Sequence, residues 1–249
     1  MVEKRNQQDR EPKQMGIENV AILVDGGFYR KRAKALFGVK PPAARAEELV
    51  RYCNRHLEDH GIFNRLYRIF YYDCRPSERR FVHPLTNENI DLSKTAEYRW
   101  MADFLKELSS KRKVAIRMGE ILESEVGFVL TPKAQKRLCR NEMEFSEVTK
   151  EDFRLDIKQK GVDTRICLDI ASLSYQHIVT QIILIAGDSD FVPAAKHARR
   201  AGVDFILDPL KGGIKESLNE HVDGIRCKTG EAGRNTNDKL HVDYKKKAQ

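Results

Sequence analysis

Two aspartates spaced i, i+2, Asp188 and Asp190, follow the run Ile182-Ile183-Leu184-Ile185-Ala186 and a glycine, Gly187. Apolar residues without alternation predict a strand buried on both faces of a parallel sheet. Glycine, aspartate and serine after it predict a turn into a helix. Pro193 is tolerated only near a helix start, and Gly202 closes the alanine-rich stretch that follows. Other predicted strands also end near an acid: Asn19 to Val24 before Asp25, Leu66 to Tyr72 before Asp73, Val114 to Met118 before Glu120, and Val203 to Leu207 before Asp208. Acids scattered at random would not select one edge of a sheet. Carboxylates crowded in a cleft cannot all stay ionised unless a cation neutralises them. Oxygen-only ligands favour Mg²⁺ or Mn²⁺. The chemistry such a cluster suits is the binding of hard metal ions that handle a polyanionic substrate, with Asp25, Asp188 and Asp190 as the metal-holding candidates.

Asp163 is the fourth candidate for this set. It opens the predicted helix Val162–Leu173, ahead of the central strand, and could lean over the same edge. Its plainer role is to stabilise that helix N-terminus. Asp169 falls among Val162, Ile166, Ile170 and Leu173 on the helical wheel, so a hydrogen-bonded structural role is the stronger reading. Asp73 and Asp208 are read evenly between outer support of the site and turn residues. Lys160 beside Asp163, Ser189 between the two acids, Arg30 after the first turn and Lys196 on the helix after Asp190 are the substrate-binding candidates, since basic and hydroxyl groups around an acidic site can hold a phosphate backbone.

These residues need elements to position them. Strands alternating with helices predict an α/β fold with a mostly parallel central sheet and right-handed crossovers. An order 3-2-1-4-5 would make the first and fourth strands neighbours and bring Asp25 beside Asp188 and Asp190 at the switch point. A basic helix is expected over Phe28 to Phe37, another over Ala43 to Leu57, and a third over Ser93 to Leu108, where Trp100, Phe104 and Leu108 stack at core spacing. Residues 75–91 read as loop. Residues 119–158 read as an inserted hairpin and lobe. The expected division is a polar extension at 1–16, one domain at 17–228, and a basic, mobile tail at 229–249.

The chain of 249 residues carries 45 Lys and Arg against 37 Asp and Glu, a net charge of +8. A basic protein with one acidic site suits a polyanion handled through metal ions. The five cysteines are widely spaced and form no Cys-x-x-Cys pair. Neither a zinc site nor a disulfide framework is suggested, and a reducing cytoplasm is the simpler setting. No apolar run is long enough for a membrane span, and the N-terminus lacks a signal-peptide core. Without a Gly-x-Gly-x-x-Gly or Walker-type loop, dinucleotide or ATP binding has no support.

Four segments, ILVDGGF, RIFYYD, QKGVDTRICLDIASL and LIAGDSDFVPAAKHARRAGVDFIL, together resemble the NYN-domain family, specifically its LabA-like branch within the PIN-like nucleases. The last two blocks carry most of the specificity. The resemblance implies a PIN-like, Rossmannoid three-layer sandwich. It also implies a metal-dependent ribonuclease, an endoribonuclease in type, with its acidic site on Asp25, Asp163, Asp188 and Asp190, Mg²⁺ or Mn²⁺ as cofactor and RNA, single-stranded or structured, as partner. Homo-oligomerisation stays open, and a membrane partner is not expected. Many members of the family have an asparagine shortly after the first aspartate, where this chain has Gly27 and Phe28. A non-catalytic RNA-binding or adaptor module is therefore the first alternative. A haloacid-dehalogenase-type phosphatase is the second, and it would need an acid where Gly27 stands.

Overall fold

The computed structural model describes residues 17–59 and 62–230. The expected extension at 1–16 and nearly all of the expected tail lie outside the described residues. Seven strands form the main sheet: β1 (Asn19–Asp25), β2 (Arg65–Cys74), β3 (Val114–Ile121), β4 (Gln159–Lys160), β5 (Gln181–Ile185), β6 (Asp204–Asp208) and β7 (Gly224–Ile225). Their spatial order is β4-β3-β2-β1-β5-β6-β7. All neighbouring pairs are parallel except β3 with β4. Strand β1 therefore lies between β2 and β5, with Asp25 paired to Tyr72 and Val24 to Ile185.

Residues 20–24 of β1 and 182–185 of β5 have no exposed surface. That explains why both read as unbroken apolar runs: helices cover each face of the sheet, so either parity of side chain must be apolar. On one face, Ala21, Leu23, Ile182, Leu184 and Phe205 pack under α5 (Val162–Tyr175) and α6 (Val192–Arg200). On the other, Val20, Ile22, Val24, Ile183 and Ile185 pack under α1 (Gly26–Phe37), α2 (Pro42–Arg55) and α3 (Ala96–Ser109). Phe104 and Leu108 of α3 are wholly buried, and Trp100 stacks on Phe104 with ring centroids 5.2 Å apart. Its indole N–H donates to the Lys40 carbonyl at 2.9 Å, so its polar end is satisfied as well.

Several boundaries differ from the sequence reading. Strand β3 runs on past Met118 to Ile121, so Glu120 lies within the strand, exposed, and does not mark its exit. Residues 75–91 contain a short antiparallel pair, Arg80–Val82 with Asn89–Asp91. Between β3 and β4 the chain forms a hairpin, Gly127–Leu130 with Phe153–Asp156, around α4 (Pro132–Cys139). The antiparallel strand β4 has only two residues, too few for any periodicity to announce it.

Candidate active site

The carboxyl edge of the sheet is assembled by two close approaches. Asp25 ends β1 and caps α1, accepting the Phe28 N–H at 3.1 Å. The chain can turn there only because Gly26 lacks a side chain: a Cβ would stand 2.3 Å from Asp73 Oδ2 and 2.5 Å from the Tyr71 hydroxyl. Both are buried groups that cannot give way. The second approach is at Gly187, where a Cβ would lie 2.5 Å from the Phe28 ring. Phe28 thus lies on the exit of β5 and ties the start of α1 to the turn carrying Asp188 and Asp190.

Asp188 accepts the Asp190 N–H at 3.3 Å and opens a short 3-10 turn, Ser189–Phe191, that leads into α6. Asp163 lies in the first turn of α5. The four acids form one electrostatic group. Burial pushes the Asp25 carboxyl above its ordinary value, and the charge of Asp163 pushes it the same way. Asp163 is itself raised, first by desolvation and then by the charges of Asp188 and Asp190. The thiol of Cys167, one turn along α5, is raised by burial and then by Asp163 and Asp190. Such mutual repulsion is the condition in which a cluster gains by taking up a cation.

A cation supplied by the chain already stands there. Lys215 Nζ lies 3.6 Å from Asp188 Oδ1 and donates to Ser189 Oγ at 3.0 Å. Nothing in the sequence reading pointed to Lys215. It lies 27 residues downstream of Asp188, in the segment after β6, and only the parallel order of β5 and β6 brings it to this edge. The donor chemistry of the four carboxylates fits a hard divalent cation. Among the described residues, no three His, Cys, Asp or Glu side chains are gathered closely enough to hold an ion as they stand.

The other candidates are placed differently. Asp73 is buried, pairs with Arg30 and accepts the Tyr71 hydroxyl at 2.8 Å. Arg30 also donates to Tyr71 at 3.1 Å, so its guanidinium is anchored beside the site. Asp169 accepts from the Tyr72 hydroxyl at 2.7 Å and Arg117 at 3.2 Å, beneath the sheet edge. Asp208 is drawn inward, wholly buried, and receives bonds from His56 Nε2 at 2.9 Å, the Leu210 N–H at 2.8 Å, the Cys227 thiol at 3.0 Å and the Tyr52 hydroxyl. Lys160 is exposed on β4, at the outer border of the sheet. Lys196 departs most from expectation. It lines a concavity with Arg199, Arg200 and Asp204, at the end of α6 that leads to the start of β6. Strand β6 begins at the opposite edge of the sheet from the acids, so α6 carries Lys196 away from them.

No curated protein matches the chain. A solved structure from Vibrio parahaemolyticus, of a protein of unknown function, is similar at 12% identity and a TM-score of 0.43, covering 84% of this chain and 91% of that one. The family model described as NYN domain matches residues 88–223, a stretch that holds Asp163, Asp188 and Asp190 and begins after β1 and Asp25. With more than half its length matched, the chain belongs to the NYN domain family.

Proposed function

We propose that this protein is a metal-dependent ribonuclease that hydrolyses RNA phosphodiester bonds at the edge formed by Asp25, Asp163, Asp188 and Asp190. The observation that carries the reading is the crowding of acids at one sheet edge: burial and then Asp163 raise Asp25, while burial and then Asp188 and Asp190 raise Asp163. Membership of a nuclease-type family supports it. The four carboxylates would hold one or two Mg²⁺ or Mn²⁺ ions. When bound, the metal supplies an activated water and stabilises the leaving oxygen. The chain's own part is positional. Phe28 on Gly187 fixes Asp25 relative to the Asp188 turn. Arg30, held by Asp73 and Tyr71, places a guanidinium beside the edge, where a phosphate would meet it. Lys215, 3.6 Å from Asp188 Oδ1 and bonded to Ser189, holds a positive charge at this edge that would lie within reach of the RNA backbone. The five free cysteines suit a reducing cytoplasm.

One observation favours a second reading, a non-catalytic RNA-binding module. The ammonium of Lys215 already neutralises part of the acidic edge, and no three ligating side chains converge among the described residues. Labelled single-stranded RNA incubated with Mn²⁺ or Mg²⁺ separates the two. Cleavage that EDTA stops and Asp188→Asn abolishes is the expected result. Binding that weakens steeply with salt, with no cleavage under any cation, supports the module. Hydrolysis of a small phosphomonoester with RNA untouched would point to a phosphatase.

A further inference from the structure

A cavity of about 670 Å³ opens beside the acidic edge. Its inner wall is Asp73 and Cys74 at the end of β2, with Arg30 of α1. One side is α3, through Trp100 and Met101. The outer wall is Leu155 and Ile157, from the excursion between β3 and β4, with Gln159 of β4. The lining is mostly apolar and the volume lies within the range of small-ligand sites. Charge at the cavity is one-sided: Arg30, Lys34, Lys40, Arg45 and Arg75 face two carboxylates, Asp73 and Glu97. Arg30 is engaged by Asp73, and both Lys40 and Arg45 by Glu48. Lys34 and Arg75 are exposed and have no ion-pair partner among the described residues. An apolar interior with an aromatic wall and two uncommitted cations is complementary to a nucleotide: a flat base inside, a phosphate at the rim.

Position argues the same way. Arg30 is five residues along α1 from Asp25, a rise of about 7.5 Å at 1.5 Å per residue. That is comparable with one nucleotide of extended strand. Building on the nuclease reading above, we propose that this cavity seats one nucleotide of single-stranded RNA next to the acidic edge, its base beside Trp100, Met101 and Leu155 and its phosphate between Lys34 and Arg75. The excursion that supplies Leu155 and Ile157 is then part of the RNA-binding surface.

Trp100 is the single tryptophan of the chain, so its fluorescence reports on this cavity alone. The experiment titrates the full chain in EDTA with adenosine 5′-monophosphate and with a short fluorescently labelled oligoribonucleotide. Trp100 emission reports occupancy of the cavity, and anisotropy of the labelled strand reports total binding. Both ligands are expected to change Trp100 emission saturably. Lys34→Glu/Arg75→Glu should weaken oligonucleotide binding about tenfold or more, beyond the effect of the same charge change at Lys106→Glu/Arg112→Glu, in the last turn of α3 and the turn that follows it. Ala96→Phe, which fills the cavity from an exposed helix position, should weaken both ligands, with its fold checked by circular dichroism. Oligonucleotide binding that leaves Trp100 emission unchanged overturns the proposal, and so does the absence of any binding. Cleavage assays with Mn²⁺ keep the two readings apart. A Trp100 response without cleavage upholds the subsite and removes the nuclease. Cleavage with unchanged KM in both Lys34→Glu/Arg75→Glu and Ala96→Phe upholds the nuclease and removes the subsite.

Discussion

Two aspartates end neighbouring strands of this sheet and have opposite surroundings. Asp208, at the end of β6, accepts bonds from Tyr52, His56, Leu210 and Cys227 and has no exposed surface. Asp188, just beyond β5, is half exposed and has a lysine at 3.6 Å, two weak local bonds and one other acid, Asp190, acting with it on Asp163. A buried carboxylate surrounded by donors holds structure together, because each donor would otherwise be buried without a partner. A carboxylate among carboxylates costs stability and is suited to a ligand that the chain itself does not supply. Position at a strand end does not separate the two cases; the partners do.

That contrast can be broken at either end. The largest effect on stability is expected at Asp208. Asp208→Ala leaves a hydroxyl, an imidazole N–H, a thiol and a backbone N–H without an acceptor in the interior, and should cost about 3–5 kcal/mol. Thermal melts would show it as a fall of roughly 10 °C, and Mn²⁺ should not restore it. A melting temperature within a degree or two of wild type would show that the Asp208 network holds nothing.

At the acidic edge the sign reverses. Asp163→Asn and Asp188→Asn keep shape and remove a repelling charge, so the metal-free variants should melt at or above wild type. Wild type should gain on addition of Mn²⁺ by mass action, and the variants should gain less. If the Asp188 variant gains as much as wild type, Asp188 is only the cap of its 3-10 turn, a role Asn performs equally well.

The pH dependence is smaller and follows from the same shifts. Asp25 and Asp163 have folded-state pKa values raised above the unfolded value near 3.8. In the window just above 3.8 the folded chain therefore binds more protons than the unfolded one, and their contribution to stability is lost as pH rises through the raised values. Metal-free wild type should lose stability across that window relative to Asp163→Asn. Parallel stability curves for the two proteins would contradict this.

The smallest effect is expected at Lys215. Lys215→Met removes the cation that competes for Asp188. The melting temperature should fall slightly, since both partners are largely exposed. Mn²⁺ affinity measured by titration calorimetry should rise a few-fold. Weaker Mn²⁺ binding would mean that Lys215 orders the acids and does not compete for them.

The sequence makes the core legible at β1 and β5 because burial on both faces leaves no polar parity in their residues. The acids after those strands are legible for the same reason: they are where the apolar runs stop. Asp208 is misleading by that criterion, because Tyr52, His56 and Cys227 approach it from up to 156 residues away. Lys196 misleads through direction, since its helix runs from the acidic edge toward the opposite one. Lys215 and the cavity beside Trp100 are illegible. They are made by segments whose meeting depends on strand order and on a two-residue strand that carries no pattern.

Strand β1 has a consequence for synthesis. It is the central strand of the sheet, flanked by β2 and β5, and its partner β5 begins more than 150 residues later in the chain. At 5–20 residues per second, a ribosome needs roughly 10–30 s to deliver β5 after β1 has emerged. Throughout that interval Asn-Val-Ala-Ile-Leu-Val can pair with β2 on one side only, and its other side is an open, uncharged, apolar edge of the kind that recruits neighbouring chains. The nascent chain is therefore most exposed to aggregation just before the acidic edge can form, and slower translation between residues 75 and 180 lengthens that exposure.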